Sequence, residues 1–256
     1  MLCALLAACD ARLGQLASTE GQRDAPETTT PPPPMTDAST GGSIPPTDAP
    51  VDASSCASGR VVFLNFAGDT LTQAATSDAT QDQAVWVGLA NNAATATMPE
   101  WRPNASNRTT QIQDVVTALQ AKVATIAPDI TFVTTRPAQG PYVMIGFGGT
   151  MGEAGVPYTG AVNHLDCGDA NKNDVGWVFE SASTTAQAAN LAAGALAFGL
   201  GATGTTVPTD CMCGWLTQCS ASASACTFSA TANAQIACPN ETDPQNDQAI
   251  LQAFCN

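Results

Sequence analysis

The chain has few basic side chains and almost no histidine. Its 256 residues include 8 Lys and Arg against 22 Asp and Glu, which gives a formal net charge of −14. A surface this acidic repels phosphate backbones, so we expect no nucleic-acid partner. The single histidine, His164, cannot form the three-ligand zinc site of a hydrolase unless carboxylates from elsewhere join it. Long apolar runs are also lacking, and no stretch approaches the roughly 18 residues that a membrane span needs.

The chain begins with a short apolar run that ends in Leu6-Ala7-Ala8-Cys9. This run resembles the lipobox of bacterial lipoproteins, in which the preceding segment is removed and the cysteine is acylated. The resemblance implies that residues 1–9 direct export and that Cys9 anchors the protein to the lipid bilayer of the envelope, on the periplasmic side or the cell surface. No Lys or Arg precedes the run, which indicates a start codon further upstream. The alternative is a hydrophobic N-terminus with a chance cysteine.

Residues 10–57 are rich in Pro, Thr, Ser and Asp and contain no aromatic side chain. Such a segment buries too little apolar surface to offset the entropy cost of ordering it. We therefore expect a disordered tether, followed by a domain over residues 58–215 and a cysteine-rich extension over residues 216–256. A recognition peptide for a Pro-binding domain is the alternative, which composition alone supports.

Eight cysteines remain once Cys3 is assigned to the export segment and Cys9 to the anchor. An even number of cysteines in an exported domain predicts a disulfide framework, and their spacing does not reveal the pairing. The candidates are Cys56, Cys167, Cys211, Cys213, Cys219, Cys226, Cys238 and Cys255. The alternative is a metal site at the closely spaced Cys211, Cys213 and Cys219, although zinc ribbons usually contain Cys-x-x-Cys pairs.

The pattern of apolar residues predicts five strands and two main helices, hence an α/β (α+β) fold with a mixed five-stranded sheet. Short apolar runs bounded by turn residues place the strands at 60–66, 130–135, 142–147, 160–165 and 175–179. One helix is expected over 109–126, where apolar residues recur at helical spacing. A second, Ala-rich and buried on most sides, is expected over 184–199. The stretch before the first helix is mostly polar and small, with Trp86 and Trp101 as packing anchors.

The second predicted helix contains the run Ala192-Ala-Gly-Ala-Leu-Ala-Phe-Gly-Leu-Gly-Ala202. With Gly199 at the turn and Asp210-Cys-Met212 further along, it resembles the active-site segment of the metzincin zinc proteases. That segment reads His-Glu-x-x-His-x-x-Gly-x-x-His and is followed by a Met-turn. The order of strands and helix upstream is also similar, over about residues 58–215. The resemblance implies a metzincin-like domain in which Met212 passes beneath the metal position.

The residues that perform the chemistry in those proteases are replaced here. The three histidine places fall on Ala192, Leu196 and Ala202, and the place of the general-base glutamate falls on Ala193. None of these side chains can bind zinc or transfer a proton. The resemblance therefore implies a catalytically inactive domain that binds an envelope protein, peptide or glycan, or that has a structural role. An unrelated Ala-rich core helix ending in Gly-Leu-Gly is the alternative.

His164 and Asp166 offer a different chemistry. Two residues apart on a strand, they would point to the same face and could activate a Ser or Thr nucleophile, which predicts a hydrolase with a displaced site as the alternative function. No Gly-x-Ser-x-Gly motif marks the nucleophile. A histidine with a purely structural role is the other interpretation.

A polar loop follows this pair. Asp169, Asn171, Asn173 and Glu180 match oxygen-bearing positions of a calcium loop and predict a Ca²⁺ site, the one cofactor that the sequence suggests. The position that needs a glycine for the sharp turn is occupied by Asp174. The alternative is an ordinary polar turn stabilised by Asx hydrogen bonds.

Overall fold

A computed structural model describes residues 59–215, 219, 225–231, 238 and 245–253. The predictions for Cys9, for the export segment and tether, and for Cys56 and Cys255 lie outside these residues. None of the described helices is long and apolar enough to cross a membrane.

The described residues form eight strands and four helices. In chain order they are β1 (Arg60–Asn65), β2 (Asp69–Gln73), β3 (Gln83–Ala84), β4 (Thr95–Met98), α1 (Arg108–Val123), β5 (Ile130–Val133), β6 (Val143–Phe147), α2 (Met151–Ala154), β7 (Ala161–Val162), β8 (Val175–Val178), α3 (Thr185–Phe198) and α4 (Asp247–Ala253).

The main sheet has five strands in the order β5-β1-β6-β8-β7. Its first four strands are mutually parallel, and β7 pairs with β8 in the antiparallel sense at the edge. The prediction of a mixed five-stranded sheet is confirmed. All five predicted strands and both predicted helices are present, most of them shorter by a few residues than the apolar runs suggested. The fold is therefore a mixed α/β fold.

Both faces of the main sheet are covered, because side chains along each strand alternate between the two faces. On β1, Val62 and Leu64 join a core cluster with α1 and α3, while Phe63 joins the cluster on the opposite face. That opposite face is covered by a three-stranded sheet in the order β3-β2-β4. The indole N–H of Trp86 fixes this layer to the main sheet by donating to the Val175 carbonyl at 2.7 Å.

The three-stranded sheet was not predicted from the sequence. Its strands are two to five residues long, and β2 buries only Leu71. Such short, Thr-rich segments lack a clear apolar alternation, and pairing with neighbouring strands fixes them instead. The two packing anchors in this region were predicted correctly, since Trp86 and Trp101 are buried. The short helices α2 and α4 were also missed.

Among the residues that the structure describes, three disulfides connect six of the predicted cysteines. They are Cys167–Cys238, Cys211–Cys226 and Cys213–Cys219. The disulfide prediction is confirmed for these residues, while the metal interpretation of Cys211, Cys213 and Cys219 is wrong. Thiolate ligands are required for zinc, and these sulfurs are consumed in disulfide bonds.

The C-terminal residues contribute to the core as well as to disulfides. Phe228 and Leu251 are buried in the same cluster as α3. The amide side chain of Gln245 is buried against Thr203, accepting from its N–H at 2.8 Å and donating to its carbonyl at 3.0 Å. Packing and paired hydrogen bonds therefore hold these residues on the loop that follows α3.

Candidate functional site

Helix α3 contains Ala192, Ala193 and Leu196 of the segment that resembles the protease motif, while Gly199 and Ala202 follow its last residue, Phe198. Thr184 caps its N-terminus, since the hydroxyl accepts from the Gln187 N–H at 3.1 Å. The Ala- and Leu-rich run that follows has high helix propensity. All residues from Ala192 to Phe198 are buried. Helix propensity and burial together explain the Ala and Leu residues that the sequence contains here.

The four substituted motif positions lie in the hydrophobic core. Ala192, Ala193, Leu196 and Ala202 are each no more than 1% exposed, and Met212 is fully buried in the same cluster. A catalytic zinc site keeps an open position for water or substrate. No such opening exists at these side chains, so they line no cleft.

The segment with Met212 packs directly against α3. A Cβ atom on Gly194 would lie 2.2 Å from Nε1 of Trp215 and 2.8 Å from the Cys211 carbonyl oxygen. Only a glycine leaves room for this approach. Trp215 also packs on Phe198, with the ring centroids 5.0 Å apart.

Gly199 follows the last residue of α3, as predicted for the turn position. Its φ of −66° is ordinary for any residue, so backbone conformation does not require a glycine. Space does, because a Cβ atom would lie 2.6 Å from Nδ2 of Asn163 and 3.0 Å from Oδ2 of Asp174. Gly199 thus allows the loop before β8 to approach the end of the helix.

Asp174 is a buried carboxyl group at this contact. Its Oδ1 accepts from Nδ2 of Asn171 at 2.9 Å, and it is 1% exposed. Burial, reinforced by the charges of Asp166 and Asp169, raises the pKa of Asp174 to about 8. The group is therefore mostly protonated at neutral pH.

The predicted calcium residues are not all brought together. Asp169 and Glu180 lie near opposite ends of β8, and Glu180 accepts from the Arg102 N–H at 3.2 Å. The carboxylate of Asp169 pairs with Arg60 at 3.1 Å and with Lys172. Two cationic side chains thus occupy the oxygens that a calcium ion would need.

Asn171 and Asn173 also have protein partners. Oδ1 of Asn173 accepts from the Tyr142 N–H at 3.2 Å, and Oδ1 of Asn171 accepts from the Asn173 N–H at 3.0 Å. The second bond is the Asx type that the polar-turn alternative expects. Within the described part of the chain, no group of three or more His, Cys, Asp or Glu side chains is arranged to hold a metal ion.

His164 and Asp166 share a pocket of about 350 Å³. This volume is near the lower end of the range for small-ligand sites, about 300–1,000 Å³. Strand β7 ends at Val162, so the two residues lie on a loop and not on the strand that the sequence predicted. The residues that line the pocket are Ala75, Thr76, Ser77, Val85, His164, Asp166, Ala170 and Asn171.

The walls of this pocket are held together by hydrogen bonds. Nδ2 of Asn171 donates to the Ser77 carbonyl at 2.8 Å and so joins the wall before β3 to the wall before β8. The Asn171 N–H donates to Oδ2 of Asp166 at 2.6 Å. The hydroxyl oxygen of Ser77 accepts from the Val85 N–H at 3.2 Å, and Ser77 is buried. The hydroxyl of Thr76 stays exposed.

A second concavity, of about 600 Å³, lies beside Arg136, Tyr142 and the turn 137–140. The guanidinium group of Arg136 is already fully engaged: it pairs with Asp69 and, at 2.6 Å, with Asp82. It also donates to the hydroxyl of Tyr142 at 3.2 Å. With its charge neutralised by two carboxylates, Arg136 offers little to a ligand, and the smaller pocket is the better candidate.

A buried pair of carboxyl groups, Asp210 and Asp247, was missed by the sequence interpretation. The two side chains are close enough for a hydrogen bond to form once one of them is protonated, and neither is more than 2% exposed. Asp210 also accepts from the backbone N–H groups of Met212 and Ser229. Burial and the charge of Asp210 raise the pKa of Asp247 to about 8, and burial raises the pKa of Asp210. Asp247, at the start of α4, is therefore mostly protonated at neutral pH.

No protein-family model matches the chain, and no curated protein sequence matches it.

Proposed function

We propose that the protein is an exported lipoprotein, anchored through Cys9, whose metzincin-like domain is catalytically inactive and has a binding or structural role in the cell envelope. The observation that carries this proposal is the composition of the motif positions on α3 and just after it. Ala192, Leu196 and Ala202 stand at the histidine places and are enclosed in the core. Side chains without a lone pair or a transferable proton cannot assemble a zinc hydrolase.

Two features of the domain support the metzincin-like frame. The buried helix α3 follows the last strand of the mixed sheet, and the segment with Met212 packs on it at Gly194. Enclosure of the helix, however, leaves no binding cleft at the motif itself. Binding is therefore proposed at the pocket of His164 and Asp166, the better candidate of the two concavities described above.

Metal analysis and protease assays on the purified full chain test whether the domain lacks bound zinc and proteolytic activity, as proposed. We expect no stoichiometric zinc and no cleavage of casein or of peptide libraries. Stoichiometric zinc together with chelator-sensitive cleavage would overturn the proposal.

Pull-down from envelope extracts separates the binding role from the structural one. A binding protein should retain a partner in a saturable manner, whereas a structural component should give none. The partner is expected to be an envelope protein, peptide or glycan.

The anchor has its own test. Wild-type protein and a Cys9→Ala variant are expressed with a signal that permits export and labelled with a radioactive fatty acid. We expect label and detergent-phase partitioning for the wild type and neither for the variant. Equal partitioning of both proteins would contradict lipidation at Cys9.

A hydrolase at His164 and Asp166 is the second candidate. The observation in its favour is that both side chains line one pocket with the exposed hydroxyl of Thr76. In this function His164 takes the proton of the Thr76 hydroxyl as it attacks an ester carbonyl and passes that proton to the departing alcohol. Water, activated by the same imidazole, then hydrolyses the acyl group from Thr76. Chromogenic esters should then be hydrolysed by the wild type and not by His164→Ala or Thr76→Val. Equal rates of ester hydrolysis for all three proteins would contradict this second candidate function.

A further inference from the structure

We propose that the pocket of His164 and Asp166 binds a basic side chain, lysine or arginine, presented by a peptide or protein in the envelope. This inference rests on the proposed binding role and specifies its ligand. The pocket combines a carboxylate without a cationic partner, further hydrogen-bond acceptors and a small apolar wall.

The carboxylate of Asp166 is the group that would pair with the ligand. Its Oδ2 accepts from the Asn171 N–H, and its Oδ1 has no hydrogen-bond partner within the described part of the chain. The lining residues include neither lysine nor arginine. The two nearest cations along the sequence and sheet, Lys172 and Arg60, both pair with Asp169. The pocket therefore presents an uncompensated negative charge, which favours a cationic guest.

The remaining lining groups fit the stem and head of a long basic side chain. Ala75, Val85 and Ala170 provide small apolar surfaces, against which methylene groups can pack while the charged head reaches the carboxylate. The hydroxyl of Thr76 adds an acceptor. None of the lining residues is Phe, Tyr or Trp, so a sugar ring has no aromatic surface on which to stack. These features favour a basic side chain over a glycan.

The pocket is organised before any ligand enters. The disulfide Cys167–Cys238 fixes the loop that contains Asp166, and the bond from Asn171 to the Ser77 carbonyl fixes the opposite wall. Next to the pocket, Asp169 has a φ of +49°, a left-handed conformation that is uncommon outside glycine. Its pairing with two cations maintains that conformation. Strain held by several contacts is typical of functional sites, where the geometry must not relax.

The charge of the whole chain acts in the same direction. A formal net charge of −14 attracts cationic partners over long distances and raises their local concentration. Attraction alone does not select a site. If the pocket is the binding site, replacing Asp166 should lower the affinity for a basic peptide, whereas replacing a distant carboxylate should not.

NMR titration of the full chain with short peptides tests the assignment. The probes are Ala-Ala-Lys-Ala-Ala, its Arg counterpart and its Leu counterpart. We expect the Lys and Arg peptides to shift the amide signals of residues 75–77 and 164–171, and the Leu peptide to leave them unchanged. Asp166→Asn should weaken the Lys peptide about tenfold or more, the usual effect of losing one charge-assisted hydrogen bond.

Asp114→Asn is the matched control, because Asp114 is an exposed carboxylate on α1 and the variant changes the net charge equally. It should alter the affinity less than about twofold. Ala170→Trp is a second variant, which fills the pocket from an exposed position and should weaken binding even if Asp166→Asn proves unstable.

Three results would overturn the inference. One is that neither basic peptide shifts the amide signals of the pocket residues. Another is that Asp166→Asn and Asp114→Asn weaken binding of the Lys peptide equally. The third is that Ala170→Trp binds the Lys peptide with unchanged affinity. If a neutral disaccharide shifts the pocket signals while the basic peptides do not, the ligand class is wrong and the binding role survives. Stoichiometric zinc with cleavage of the peptides would instead refute the proposed function itself.

Discussion

The C-terminal half of α3 and the pocket of His164 and Asp166 differ in their exposure to solvent. Along α3 the side chains are small and apolar, and Gly194 lets the segment with Met212 approach until no space is left. The pocket is lined by both polar and small apolar side chains that leave about 350 Å³ open. The close packing along α3 therefore leaves no space for a ligand, while the loop with His164 and Asp166 leaves such space. Substitutions at the two places should have very different effects.

The largest effect is expected for Ala193→Glu, which restores the general-base residue of the protease motif. Ala193 is fully buried, and an unpaired carboxylate in an apolar core costs several kcal/mol, about 4 or more. We expect the variant to unfold at ordinary temperatures or to lose most of its unfolding free energy in denaturant titrations.

Ala121→Glu is the matched control for this variant. Ala121 is exposed on α1, so the same chemical change should alter the unfolding free energy by less than about 0.5 kcal/mol. If Ala193→Glu were as stable as this control, α3 would have to be open to solvent. That result would contradict the contrast between the enclosed helix and the open pocket.

A smaller loss is expected for Gly194→Ala. The new Cβ would meet Nε1 of Trp215 and the Cys211 carbonyl oxygen, so the Met212 segment must move away from α3. Overpacking of this kind costs about 2–3 kcal/mol, partly offset by the better helix propensity of Ala. Gly152→Ala is the control, because a Cβ there would meet only the Thr150 hydroxyl at 3.7 Å. Equal melting temperatures for the two variants would contradict the close packing.

A third effect concerns pH, because Asp247, the first residue of α4, is a buried carboxyl group close to Asp210. The raised pKa of about 8 means that the folded protein holds a proton which the unfolded chain releases near pH 4. The unfolding free energy should therefore fall as the pH rises from about 4 to about 8, by about 1 kcal/mol between pH 6 and pH 7. The stability contributed by this proton is fully present only at the acidic end.

Asp247→Asn should flatten this dependence, since an amide mimics the protonated carboxyl group and can still donate to Asp210. Chemical denaturation at pH 5, 6, 7 and 8 measures the slope. Asp114→Asn, on an exposed carboxylate, should leave the slope unchanged. Asp174 has a similarly raised pKa, so some dependence should remain in the Asp247→Asn variant. An identical slope in wild type and Asp247→Asn would contradict the raised pKa of Asp247.

The smallest effect is expected in the pocket. His164 is exposed, and its ring makes no hydrogen bond to any residue that the structure describes. His164→Ala should change the unfolding free energy by less than about 0.5 kcal/mol. A loss above about 2 kcal/mol would assign His164 a structural role and remove the contrast with α3.

Prediction from the sequence succeeded where an apolar pattern was long or continuous. The stripe on α1, the apolar runs of β1 and β6 and the Ala-rich run of α3 each gave the correct element. It failed for β2, β3 and β4, whose few polar residues have no periodic signal and depend on strand pairing. His164 and Asp166 line one pocket, but they do so from a loop and not from the face of a strand that the sequence predicted.

The partners of the polar side chains required the tertiary structure. Asp169 matched a calcium position by spacing alone, but Arg60, more than one hundred residues away, pairs with it. Asp210 and Asp247 are also far apart in the sequence, so no local pattern indicates that their carboxyl groups lie close together. The pairing of the cysteines could not be predicted from the sequence either, because it depends on which loops the fold brings within bonding distance.

By itself, the sequence determined the five-stranded sheet and its two main helices, the tendency of the cysteines to form disulfides and the absence of metal-binding side chains at Ala192, Leu196 and Ala202. These properties depend on side-chain chemistry and on local periodicity, which are read residue by residue. Only the tertiary structure decided that those three positions are enclosed while His164 and Asp166 face an open pocket. Enclosure and openness depend on distant segments that approach one place and leave another uncovered, such as the segment with Met212, which packs on Gly194 of α3, and the C-terminal residues.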